Sequence, residues 1–161
     1  MLKVLAMISY LVTHSSYAPV EELKAKEVFC MATAVYHEAR GEPVIGQVAV
    51  AYTIKNRVGR DQFPPTICGV VYDEKHAVQF PDVKKVRPDY KSAEWNSAVE
   101  IATLTMVRYV EDPTRGARYY YNPKKVKRPK WARMRNVQTI GDHTFFNHAP
   151  ELNRGSYAEA Q

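Results

Sequence analysis

With 161 residues, 45% hydrophobic and 25% charged, the chain suits one hydrophobic core and is too short for two comfortable domains. No repeat or low-complexity tract interrupts that composition, which argues against a disordered or solenoid protein. The formal charge of +6 is concentrated between residues 115 and 135, where Arg115, Arg118, Lys124, Lys125, Lys127, Arg128, Lys130, Arg133 and Arg135 occur with no acid among them. Such a region is either a solvated loop or a surface for a polyanion, whether nucleic acid, acidic glycan or anionic membrane.

Taken in chain order, Lys3 and the apolar run Val4–Val12 precede Ser16-Tyr17-Ala18. Residues 1–18 read as a short secretory signal with a small-residue cleavage site, or else as an N-terminal helix packed on the domain; the run is too short to cross a membrane. From Glu21 to Arg40 apolar residues at Val28, Met31, Ala32, Val35 and Ala39 recur at helical spacing, and Gly41 supplies a stop. Pro43 then suits the first position of a second helix running to about Val58, with Glu42 at its cap, Val44, Val48, Ala51, Ile54 and Val58 inward, and tight helix packing across Gly46, Ala49 and Ala51. Residues 59–91 hold Gly59, Pro64, Pro65, Gly69, Pro81 and Pro88 and predict a long loop, with an apolar piece from Ile67 to Tyr72 that suits helix or strand. Ser92 caps a third long helix with Trp95, Ala98, Val99, Ala102, Met106 and Tyr109 on one face, ended by Asp112-Pro113. Three β-prone pieces follow, Ala117–Tyr121, Val137–Ile140 and His143–Phe146, and predict a small antiparallel sheet. The expected fold is therefore α+β, mainly helical, with a polar tail over residues 149–161. Cys30 and Cys68 either pair, tying the first helix to the loop near Ile67, or stay as two buried thiols.

The densest chemistry lies in Tyr36-His37-Glu38-Ala39-Arg40-Gly41-Glu42-Pro43. Glu38 falls in the last turn of its helix, where the negative dipole end and partial burial both disfavour a carboxylate and favour a raised pKa, as a general acid requires. The competing reading is a surface Glu paired with Arg40 or a lysine. Arg40 is a candidate to bind substrate or orient a carboxylate, and Glu42 has its first use at the start of the second helix.

The blocks FCMATAVYHEARGEP, GQVAVAYTIKNRV, FPPTICGVVY, QF, ARYYYNP and PKWARMRNVQTIGDHTFF stand in order from about Val28 to Phe146, and this set closely resembles the SleB-type cell-wall hydrolases, the family of spore-cortex-lytic enzymes and related phage and bacterial lysins. The resemblance implies a lysozyme-like single domain over residues 19–148, cleavage of the β-1,4 bond between N-acetylmuramic acid and N-acetylglucosamine, and one essential glutamate, which maps to Glu38. It further implies that no metal or cofactor takes part and that some members act as lytic transglycosylases, the muramic 6-hydroxyl replacing water to leave a 1,6-anhydro end. The chain departs from the family at Tyr36-His37 and at Gln79-Phe80-Pro81-Asp82, where a QFSW-like block is common, so the resemblance implies the bond cleaved but not the sugar contacts. By residue type Gln79, Phe80, Tyr119, Tyr120, Tyr121 and Asn122 suit a glycan groove, and strand alternation selects Tyr119 and Tyr121 on one face.

A hydrolytic mechanism needs a second carboxylate, and Asp61, Asp73, Glu74 and Asp82 are available without a context that singles one out. The five histidines form no metal-ligand spacing, so no metal is expected. A non-enzymatic reading, a basic nucleic-acid or envelope binder, explains residues 115–135 but leaves the HEARGE segment idle. The expected partner is peptidoglycan, with anionic outer-membrane or cell-wall polymers met through the basic region and no specific nucleic acid. The expected location is the periplasm or cell wall, reached by export or, for a phage lysin, by release from the host cytoplasm at lysis.

Overall fold

The structure, a computed structural model, describes residues 25–60, 62–73, 80, 82–129, 132 and 138–147. The N-terminal segment, Asp61, Glu74, Gln79, Pro81, Trp131 and the C-terminal tail lie outside the described residues. Within them the elements are α1 (Ala25–Ala39), α2 (Val44–Arg57), α3 (Ile67–Val71), α4 (Ala93–Met106), β1 (Tyr119–Tyr121), β2 (Gln138–Ile140) and β3 (His143–Phe146). The strands form an antiparallel sheet of order β1-β3-β2.

α2 is the axis of the helical body. Every residue from Gly46 to Ile54 is buried, because α1, α3 and α4 all pack on it. A helix enclosed in this way has no solvent stripe, which is why reading it as one-sided misplaced its ends. Val44, expected inward, is 65% exposed; the first turn of α2 projects past the body. Gly46, expected at the helix contact, instead faces the side chain of Glu42, whose Cβ would lie 3.1 Å from an added methyl. Threonines enter this apolar interior at no polar cost by bonding back along their own helices, Thr33 to Phe29 O at 2.8 Å and Thr53 to Ala49 O at 3.0 Å.

α4 packs most extensively against α1. Ser92 caps it as expected, Oγ accepting the Trp95 N–H at 3.1 Å. Its far end comes earlier than expected, at Met106. Arg108 adopts φ of 57°, its N–H bonds Thr105 O at 3.2 Å and the Tyr109 N–H bonds Leu104 O at 2.9 Å. This is a Schellman motif with arginine where glycine usually signals the stop. It turns Tyr109 outward to 67% exposure, not inward as the periodicity predicts. The Lys55 ammonium caps the same helix end through Thr105 O and Met106 O, and burial draws its pKa down to about 8.

The apolar piece after Thr66 is helical. Thr66 Oγ1 accepts the Gly69 N–H at 2.9 Å, and Glu27 of α1 accepts the Ile67 N–H at 2.6 Å and the Cys68 N–H at 3.3 Å. A disulfide between Cys30 and Cys68 makes the same link covalently, so the paired reading of the two cysteines holds. It closes a stretch of sequence separation 38. In the chain-entropy view such a loop stabilises by about 3–4 kcal/mol. The double substitution Cys30→Ser, Cys68→Ser is therefore expected to lower unfolding free energy in urea by about 3 kcal/mol. A loss below about 1 kcal/mol would mean that the Glu27 contacts alone hold α3 in place.

Candidate active site

Glu38 lies three, four and seven residues beyond Val35, Ala34 and Met31, all fully buried. It is the last member of the core-facing stripe of α1. The carboxyl is thus placed against β1, where Oε2 accepts the Tyr120 hydroxyl at 3.3 Å, a long O–H···O contact. Burial pushes the Glu38 pKa up to about 7, and the Tyr120 hydrogen bond pulls against it. Among the charges, Asp82 raises it further while Lys125 and Arg57 lower it. The result is a carboxyl that holds its proton near neutrality.

Tyr120 is fixed from several sides. It pairs with Phe145 across the β1–β3 ladder, its ring lies tilted on Phe145 at 5.6 Å and edge-on to His143 at 5.1 Å, and it is buried. Burial raises its own pKa well above the usual phenol value, so the hydroxyl remains a donor to Glu38. Tyr120→Phe removes the contact that lowers the Glu38 pKa, and should move that pKa upward in a carboxyl NMR titration at a stability cost of about 1 kcal/mol. A downward or absent shift would show that the hydroxyl does not reach the carboxylate.

Behind Tyr120 stands a second polar pair. Burial lowers the His143 pKa, keeping the imidazole neutral, and Glu42, with Oε1 3.5 Å from Nδ1, works in the opposite direction. The other oxygen of Glu42 accepts the Asp142 N–H at 2.9 Å. Between them Gly141 has φ of 58°, which favours glycine, and a Cβ there would meet Glu42 Oε2 at 2.0 Å, so a side chain at this position would displace the Glu42 carboxylate from the turn. Glu42, a substrate-contact candidate from sequence, is spent on clamping the β2–β3 turn to the α1–α2 junction. It does not cap α2 either, since the N-cap residue is Pro43 and makes no side-chain cap.

The other candidates separate. Arg40 is exposed and lies over the Tyr36 ring at 4.9 Å. Phe80 is buried, with the Arg57 guanidinium 5.7 Å from its ring centroid. Tyr119 is buried too, turned to Phe63 at 6.0 Å and to Arg57 at 5.7 Å, its hydroxyl accepting from Gln62 Nε2 at 2.9 Å. Phe80 and Tyr119 are therefore core rather than open groove faces. Tyr121 is half-buried and stacks on Phe146 at 6.0 Å. Asn122 is buried, and its Oδ1 accepts the Lys124 N–H at 2.9 Å. Sequence reasoning passed over Tyr120, which alternation set on the wrong face, and Arg57. Arg57 falls three and seven residues after Ile54 and Val50, on a core-facing row, and that position was the available signal. Among the described residues no group of three or more His, Cys, Asp or Glu gathers as a metal site.

A mainly helical α+β body, with a proton-holding carboxyl at a helix end facing a short antiparallel sheet, defines a lysozyme-like fold. The chain belongs to the cell wall hydrolase family, whose model matches residues 41–146. It is 37% identical over 120 residues to a spore cortex-lytic enzyme of Bacillus cereus, covering 74% of this chain and 43% of that one. A spore cortex-lytic enzyme of Bacillus subtilis is 34% identical over 121 residues, covering 74% and 37%. The chain thus spans less than half the length of these relatives. Among solved structures it resembles the catalytic domain of the germination-specific lytic transglycosylase SleB from Bacillus anthracis, with TM-score 0.59 and 34% identity over 78% of this chain and 97% of that one. The SleB catalytic domain of Bacillus cereus gives 0.60 and 32%, covering 81% and 98%. Glu38 lies just ahead of the segment the family model matches.

Proposed function

We propose that this chain cleaves peptidoglycan glycan strands as a lytic transglycosylase, with Glu38 acting first as acid and then as base. The observation that carries the reading is the Glu38 carboxyl, half-buried, bonded to Tyr120 and protonated up to about pH 7. The similarity to a catalytic domain described as a lytic transglycosylase supports it. Glu38 gives its proton to the bridging oxygen as the bond to muramic C1 breaks, and the substrate's own acetamido carbonyl stabilises the oxocarbenium-like centre. The Glu38 carboxylate then takes the proton of the muramic 6-hydroxyl as O6 bonds to C1. The acid is regenerated and the product carries a 1,6-anhydro end, with no water consumed.

One observation favours a second reading. Asp82 is exposed, and its charge acts on Glu38, as the partner carboxylate of a hydrolytic muramidase would. Digestion of purified peptidoglycan followed by mass spectrometry separates the two: anhydro-muropeptides are expected, whereas reducing muramic ends alone would transfer the reaction to water. Absence of any product would remove both. The disulfide supports action in an oxidising compartment, the periplasm or cell wall, for a phage endolysin or a resident wall enzyme alike.

A further inference from the structure

Asn122 ends β1 and turns the chain. Its Oδ1 accepts the Lys124 N–H at 2.9 Å, and its carbonyl accepts those of Lys125 and Val126, each at 3.1 Å. Five consecutive residues, Lys124 to Arg128, are thereby presented to solvent. Two of the four cations are committed within the fold: Lys124 Nζ lies 2.7 Å from Asp142 Oδ1, and Arg128 Nε donates to Ala132 O at 2.8 Å. Lys125 and Lys127 form no ion pair among the described residues. These two are not equivalent. Lys125 follows shortly after Tyr120, the residue that touches Glu38, and its charge acts on both Glu38 and His143.

The Lys125 ammonium, next to the Lys124 that binds Asp142 of the β2–β3 turn, works against the acid, because it favours the Glu38 carboxylate. That burden is lifted whenever an anion sits on the ammonium. The substrate proposed above carries such anions. Muramic acid bears a lactyl group that is a free carboxylate in strands without peptides, and a peptide stem with carboxylates of its own in intact strands.

We infer that Lys125 is a specificity-determining contact that receives a muramyl carboxylate, lactyl or stem, beside the bond to be cleaved; the inference rests on the peptidoglycan reading. Binding of the correct substrate then neutralises Lys125, and the proton that Glu38 already holds is retained more firmly. Neutral glycans with the same backbone gain neither effect.

The test is binding, measured by titration calorimetry with soluble glycan strands in a Glu38→Gln background so that nothing is cut. Native strands are compared with strands whose carboxylates have been converted to amides. Adding Lys125→Gln is expected to weaken binding to native strands about two- to fivefold, the scale of one exposed charge pair, and to close most of the gap between native and amidated strands. Lys127→Gln, which removes an equal charge farther along the turn, should lose less and keep the gap. Equal losses for Lys125→Gln on native and amidated strands, or no loss on either, would overturn the assignment. So would equal behaviour of the two lysine variants, since that leaves only general attraction by the basic surface. Peptide-free and stem-bearing native strands, run separately, show which carboxylate is read, and a gap on either supports the contact. Cleavage by the chain with Glu38 intact is followed in parallel. No cleavage with the binding gap preserved removes the transglycosylase reading and leaves Lys125 as a carboxylate contact.

Discussion

Glu38→Gln is expected to lower kcat by a factor on the order of 10²–10⁴, the usual contribution of a positioned general acid, while KM stays nearly constant. Glutamine keeps the shape of the side chain and can still accept the Tyr120 hydroxyl, but it has no proton to give to the leaving oxygen. The pH profile of the parent supplies an independent check. A group with a pKa of about 7 is the required acid below that pH and is lost above it. The rate should therefore fall toward a tenfold loss per pH unit on the alkaline side. A variant retaining more than a tenth of parental kcat, or a parent whose rate is level to pH 9, would remove Glu38 from the acid's role.

The same pKa predicts that the inactive variant is the more stable protein. For Glu38 the folded pKa, about 7, lies above the ordinary 4.5, so the folded state binds the proton more tightly than the unfolded chain. Burial of the neutral form carries no penalty below about pH 4.5. The penalty grows as pH rises toward 7 and is complete above it. At one pKa unit per 1.36 kcal/mol, the full effect is about 3 kcal/mol. Glu38→Gln should accordingly gain up to that amount at pH 8 and almost nothing at pH 4. Stability given up at a reactive group is the expected cost of function. Equal gains at both pH values would mean that the carboxyl's charge is not what burial opposes.

The helical body was legible because its signals are local. The 28-31-35 stripe of α1, the Ser92 cap and the Gly141-Asp142 turn each follow from a few neighbouring residues, and each appears where expected. What escaped depends on distant partners. Strand alternation divides Tyr119 and Tyr121 from Tyr120, but only the packing of Phe145 and His143 beneath β1 decides which side meets α1. Glu42 stands beside a helix start, and nothing nearby reveals that its carboxylate reaches a turn a hundred residues later. Arg108 ends α4 without the glycine that would announce it. Glu38 was singled out by its segment, whereas Tyr120 and Arg57 required the fold.

Arg57 carries a stability effect expected to equal or exceed that of the disulfide. It is 1% exposed at the end of α2, Nε donates to Arg118 O at 2.6 Å, and the guanidinium lies 5.2 Å from the Phe63 ring centroid and 5.7 Å from those of Phe80 and Tyr119. One planar cation thus joins α2, the long loop and β1, and its charge also lowers the Glu38 pKa. Arg57→Ala should cost about 3–5 kcal/mol, a cavity among three aromatic rings added to the lost hydrogen bond to Arg118 O. For a chain of this length that is a fall in melting temperature of roughly 10 °C. Arg57→Met refills much of the volume without the charge. If packing dominates, it should recover a good part of the loss while moving the alkaline limb of the activity profile upward, because a cation that favoured the carboxylate has gone. If Met is as damaging as Ala, the hydrogen bond and the cation–ring contacts dominate instead, and Lys should fail too, since it keeps the charge but lacks the planar fork.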